Sequence, residues 1–98
     1  MFDLSTINKR YFSIKIGDLE LEVEPPKLGV LKKITNLASS KDEDAMADLA
    51  DAVRLILSKN KAKRKVSEKV IEDLDIDQMD EILTAYFEWL DKARSSKN

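Results

Sequence analysis

Two short alternating stretches, residues 11 to 16 (YFSIKI) and 19 to 24 (LELEVE), joined by Gly17-Asp18, constrain this chain more than any other feature. Strict alternation of apolar and polar residues is the mark of a strand with one buried face. Glycine in the first central position suits a two-residue turn, because that position needs a positive φ. The turn then sets the register. Ile16 falls opposite Leu19, Ile14 opposite Leu21 and Phe12 opposite Val23, so all of these apolar side chains share one face. On the other face Lys15 meets Glu20, a favourable cross-strand pair. A two-stranded hairpin is barely stable alone in water, so its apolar face must rest on other elements.

Helices supply that cover. Pro25-Pro26 ends the second strand, since neither residue can donate to a ladder, and Pro26 suits the first position of a helix over 27 to 38. Leu28, Leu31, Ile34 and Ala38 fall on one side of it. Ser39 and Ser40 interrupt the pattern. Ser40 or Asp42 is placed to cap a longer helix over 42 to 59, whose first turn gathers Asp42, Glu43 and Asp44 as the helix dipole favours. At about 100° per residue, Met46, Leu49, Ala50, Val53, Ile56 and Leu57 share a face, opposite Asp44, Asp48 and Asp51. Leu55 falls among the charges, where it fits the core, an isolated surface leucine or a partner contact.

The run Lys59 to Lys65 (KNKAKRK) breaks the apolar pattern and reads as a solvated basic linker over 59 to 66. Ser67 is placed to cap a short helix over 67 to 74 that holds Val70, Ile71 and Leu74. Asp75 and Gln78 form a capping box for a last helix over 76 to 94, with Leu74 and Met79 as its hydrophobic staple. The predicted architecture is α+β, an N-terminal β-hairpin packed on a bundle of about four α-helices within a single domain of 98 residues.

Composition removes most chemistry. The chain has no cysteine and no histidine, so the commonest general base, the usual nucleophile-base pairs and every ordinary zinc site are missing. No enzymatic activity, metal or cofactor is expected. Lack of disulfides suits a reducing compartment, and the cytoplasm is the expected location. Two glycines in the chain cannot build a P-loop or a Rossmann turn. The stretch DLDIDQMDE (73 to 81) superficially resembles a calcium loop. It lacks the turn glycine, and it alternates Asp73, Asp75 and Asp77 with Leu74 and Ile76, so it reads as helix capping. No apolar run approaches the roughly 18 residues of a membrane span, and Met1-Phe2-Asp3-Leu4 does not open like a signal peptide.

Charge is divided along the chain. Basic and acidic residues number 3 and 5 over residues 1 to 26, 10 and 5 over 27 to 65, and 4 and 9 over 66 to 98. The two halves can neutralise each other within one molecule or steer head-to-tail association, which leaves a homo-oligomer open. The KNKAKRK run could meet phosphates, but it holds no aromatic to stack on bases, and a pI near 5.2 opposes a polyanion, so nucleic-acid binding is disfavoured.

The last helix carries the most informative face. Met79, Leu83, Tyr86 and Leu90 form its centre, Ile82 and Ala93 lie beside them, and Phe87 and Trp89 stand on opposite edges. The apolar arc spans about 160°, wider than the ~100° a single core contact needs. Either the domain wraps this helix deeply, or a partner or second subunit covers part of it. The candidate protein-binding residues are therefore Tyr86, Phe87, Trp89 and Leu90, with Leu55.

The hairpin YFSIKIGDLELEVEPP, the helix start KLGVLKKI, the charged middle helix and the ending DLDIDQMDEILTAYFEWLDKA together resemble the tail assembly chaperones of long-tailed bacteriophages and prophages. The resemblance spans nearly the whole chain and is carried most by Ile76, Met79, Ile82, Leu83, Tyr86, Trp89 and Leu90. It implies a protein, absent from the finished tail, that coats the long helical tape measure protein before the tail tube polymerises, in the cytoplasm of the bacterial host. It also implies that a longer form, made by a ribosomal frameshift, engages the tail tube protein. Lys97-Asn98 is the dipeptide that a slippery heptamer A AAA AAC encodes when the Ser96 codon ends in A. A structural head-tail or tail component of the virion, or a nucleic-acid-binding regulator using Lys59 to Lys65, would share this size and composition.

Overall fold

The computed structural model describes residues 1–6, 10–41 and 43–95, with Thr6 and residues 93–95 described through their backbone only. Asp42, one of the two candidate caps, the side chain of Ala93 and the Lys97-Asn98 dipeptide lie outside the described residues. A 3-10 turn at Leu4–Thr6 precedes β1 (Phe12–Ile16) and β2 (Leu19–Val23), and four helices follow: α1 (Leu28–Ala38), α2 (Ala45–Ser58), α3 (Glu68–Glu72) and α4 (Ile76–Ser95). The fold is α+β, a hairpin set on four helices.

The hairpin forms in the register its turn demands. Phe12 pairs with Val23, Ile14 with Leu21, Lys15 with Glu20 and Ile16 with Leu19. Gly17 takes a φ of 59°, the left-handed value that only glycine adopts without strain. The apolar face rests on the helices: Leu21 and Val23 are buried, while Phe12, Ile14, Ile16 and Leu19 pack half-buried around them. At the centre lies α2, which buries Leu49, Ala52, Val53, Ile56 and Leu57. Both α1 and α4 pack against it, α1 through Ile34 and α4 through Met79, Ile82, Leu83 and Tyr86.

Helix ends differ from the sequence expectation in instructive ways. Lys27 stays extended as the N-cap of α1, its carbonyl accepting the Leu31 N–H at 2.9 Å, so Pro26 precedes the helix and does not open it. Leu28 and Met46 point outward, 68% and 57% exposed, although both lie on the apolar side by angle. Each sits in the first turn of its helix, and a helical wheel gives direction but not depth along the axis. Ala52, unmarked by the pattern because it is small, takes the central place on α2. That helix begins at Ala45 with Asp44 as N-cap, and neither Asp44 nor Ser67 of α3 makes a side-chain capping bond. The capping box of α4 is complete: Gln78 N–H donates to Asp75 Oδ1 at 2.8 Å, and Asp75 N–H donates to Gln78 Oε1 at 2.9 Å. Arg54 ties α2 to α3, bonding Glu68 through Nε at 3.2 Å and pairing with Asp51 as well. The hydrogen bonds that Arg54 donates to Glu68 are the largest cause of the raised Arg54 pKa.

The basic linker is tied down at its start, while Lys61 to Lys65 remain exposed as the solvated reading expects. Its first residues join the sheet: Glu24 N–H donates to the Lys59 carbonyl at 2.9 Å, and Lys61 N–H to the Glu22 carbonyl at 2.8 Å, beside a bridge between Val23 and Asn60. Asn60, 3% exposed, then organises the turn that follows. Its amide donates to the carbonyls of Leu57 (2.9 Å) and Arg64 (3.0 Å), and its oxygen accepts the Arg64 N–H at 2.8 Å. A buried amide must satisfy both its donors and its acceptor, and here all are used. Lys63, in the same turn, takes a φ of 55°.

Candidate protein-binding surface

The capping box fixes where α4 starts, and the helical period then turns Met79, Leu83 and Tyr86 toward α2. Tyr86 is 1% exposed, and burial pushes its phenol pKa up to about 12 by penalising the charged form. Phe12 of β1 meets the Tyr86 ring edge-on at 5.8 Å and the Trp89 ring at 5.7 Å, while Phe87 and Trp89 stand 5.7 and 5.8 Å from Tyr86. Such pairs contribute about 0.5–1.5 kcal/mol each beyond area burial. The Arg10 guanidinium lies 4.4 Å over the Trp89 ring, and its Nη1 donates to the Trp89 carbonyl at 3.4 Å. The hairpin and Arg10 thus cover the Trp89 flank of the wide apolar arc.

Among the described residues the Phe87 flank stays open, with Arg10 reaching across to its rim. Between α1 and α4 runs a groove of about 650 Å³, floored by Leu31, Phe87 and Leu90 and rimmed by Arg10, Thr35, Glu88 and Asp91. Leu28, one helical turn before Leu31 on the same side of α1, stands exposed nearby. An apolar floor under a rim of both charges suits an amphipathic helix laid into the groove.

Of the residues singled out in the sequence, Phe87 and Leu90 therefore come together at one surface. Trp89 sits on the other side of α4, half-buried beneath Arg10 and Phe12. Tyr86 is part of the core and cannot itself touch a partner. Leu55 is half-buried against the core and does not line the groove. Leu31, which the helical period sets on one side of α1 with Leu28, Ile34 and Ala38, becomes groove floor because α1 and α4 stand apart there.

The Lys59 to Lys65 run holds no aromatic of its own, yet the fold brings one to it: the Lys61 ammonium lies 5.1 Å from the Tyr11 ring centre. Among the described residues no group of acidic side chains could hold a metal ion, and no helix is long and apolar enough to cross a membrane. No family model, no curated protein and no solved structure matches this chain.

Proposed function

We propose that this chain is a tail assembly chaperone of a long-tailed bacteriophage or prophage, binding the tape measure protein and keeping it soluble and assembly-competent while the tail tube polymerises. The observation that carries this reading is the apolar strip of Leu31, Phe87 and Leu90 between α1 and α4, open among the described residues. In the family this chain resembles, the partner is a long helix with apolar heptads. Such a helix offers anchors at i, i+3, i+4 and i+7 that fit a groove of this kind. The strip is short and its rim is charged, which favours weak, reversible contacts repeated by many copies along one partner. In this reading the protein acts in the host cytoplasm by binding alone, without catalysis or cofactor, and a frameshifted longer form adds a contact to the tail tube protein.

The test is co-expression with a tape measure protein, taken from the neighbouring genes if they encode one. The chain should keep that protein in the soluble fraction and co-elute with it, and the double variant Leu31→Glu, Phe87→Glu should lose both effects while melting within a few degrees of wild type. Equal solubility of the tape measure protein without the chain would sink the proposal. Recovery of the chain from purified particles would instead assign it to the virion as a head-tail or tail component, and salt-sensitive retention on DNA through Lys61, Lys63 and Arg64 would favour a regulator.

A further inference from the structure

The two edges of the hairpin are treated differently by the rest of the chain. On the β2 side, Lys59 to Lys61 add main-chain hydrogen bonds to Glu22 and Glu24. On the β1 side, among the described residues, no main-chain partner from outside the hairpin reaches Ser13 or Lys15. The turn geometry makes Ile16-Leu19, Ile14-Leu21 and Phe12-Val23 the hydrogen-bonded pairs, so the N–H and C=O of Ser13 and Lys15 point away from β2. Both residues are exposed. An open strand edge of this kind is a template for another extended chain.

The edge also has a groove beside it. Residues 12 to 17 line, without a gap, one wall of a cleft of about 600 Å³, and Leu74, Ile82 and Ala85 give the other wall an apolar base. Asp75, Asp77 and Glu81 stand along that second wall, against Lys15 alone on the first. The geometry points to this cleft as a strand-addition site for an extended segment of a partner protein that carries lysine or arginine alternating with β-branched residues. Main-chain bonds to Ser13 and Lys15 supply the pairing, the apolar base takes alternate side chains, and the carboxylates take the basic ones. A second copy of this chain is a poorer occupant, because β1 pairing with β1 would bring the same carboxylates of α4 near one another and set Lys15 close to its counterpart. This site is separate from the α1-α4 groove and does not depend on the chaperone reading.

The probe is a capped, fluorescent ten-residue peptide alternating Lys and Val, with an alternating Glu and Val peptide as control. The basic peptide should bind and slow amide exchange at Ser13 and Lys15, and the acidic one should not. Ser13→Pro removes one outward N–H while leaving every hairpin hydrogen bond in place, a position where an edge strand tolerates proline. It should weaken binding at least about tenfold with little change in melting temperature, and the pair Asp77→Lys, Glu81→Lys should do the same. If Ser13→Pro does not fold, the charge pair and the exchange pattern still decide. Equal binding of the acidic peptide, retained affinity in the charge-reversed protein, or protection of Ser13 and Lys15 by concentration-dependent dimerisation without peptide would each overturn the proposal.

Discussion

Replacing Asn60 with Ala tests whether the supposed linker is part of the fold. Asn60 is 3% exposed and makes hydrogen bonds of 2.9, 3.0 and 2.8 Å to Leu57 and Arg64. A hydrogen bond of this kind contributes about 0.5–1.5 kcal/mol net, and a buried group left unpaired costs about 1–3 kcal/mol. Arg64 is an exposed residue whose bonds to Asn60 are only part-buried, so water can replace them after the substitution, but Leu57 is fully buried and its carbonyl keeps less recourse. A loss of about 2–3 kcal/mol follows, against a total of about 5–15 kcal/mol for a domain of this size. At roughly 4–8 °C per kcal/mol, the melting midpoint should fall by about 10–20 °C. Hydrogen exchange should also quicken at Glu24 and Lys61, whose N–H groups bond across this junction. Asn60→Asp should be worse at neutral pH, since it keeps the acceptor for Arg64 but aims a carboxylate at two carbonyl oxygens, and acidification should return part of the loss. A midpoint for Asn60→Ala within about 3 °C of wild type, with protection at Glu24 and Lys61 unchanged, would refute the reasoning and restore the solvated-linker reading.

Three further outcomes are expected. Lys63→Gly should stabilise the protein by about 0.5–1 kcal/mol, because its φ of 55° favours glycine, and a urea midpoint that falls would contradict this. Tyr86 should titrate near 12 in the folded Tyr11→Phe protein, where it is the only phenol, and nearer 10.0 once unfolded. Its folded pKa is raised, so the stabilisation is complete below about pH 10 and about 3 kcal/mol of it is lost as pH climbs through 12; a native ultraviolet titration midpoint at 10 would be the opposing result. Asp75→Ala should cost about 1 kcal/mol by dismantling the reciprocal bonds with Gln78, and an unchanged melt would mean the box adds nothing.

Much that depends on residues near one another in sequence was legible without the structure, although the capping of α1, α2 and α3 was not. The hairpin and its register follow from a two-residue turn and a period of two, because a slip by one residue would turn Phe12, Ile14, Leu21 and Val23 to solvent. The start of α4 follows from Asp75 and Gln78, three residues apart. Periodicity likewise found the width of the α4 arc, but not what covers it. Whether Trp89 or Phe87 meets water depends on where Phe12 and Arg10 arrive from the hairpin and where α1 settles on α2, contacts between residues far apart in the chain. The same separation hid Asn60, an unremarkable polar residue in a lysine-rich run until β2 comes to lie beside it. It made Leu31 groove floor and left Leu28 and Met46 outside the core. Local sequence determined the hairpin and the four helices and the direction in which their apolar faces point; only the tertiary assembly decided how deep each side chain sits, since depth belongs to the neighbours that another part of the chain supplies.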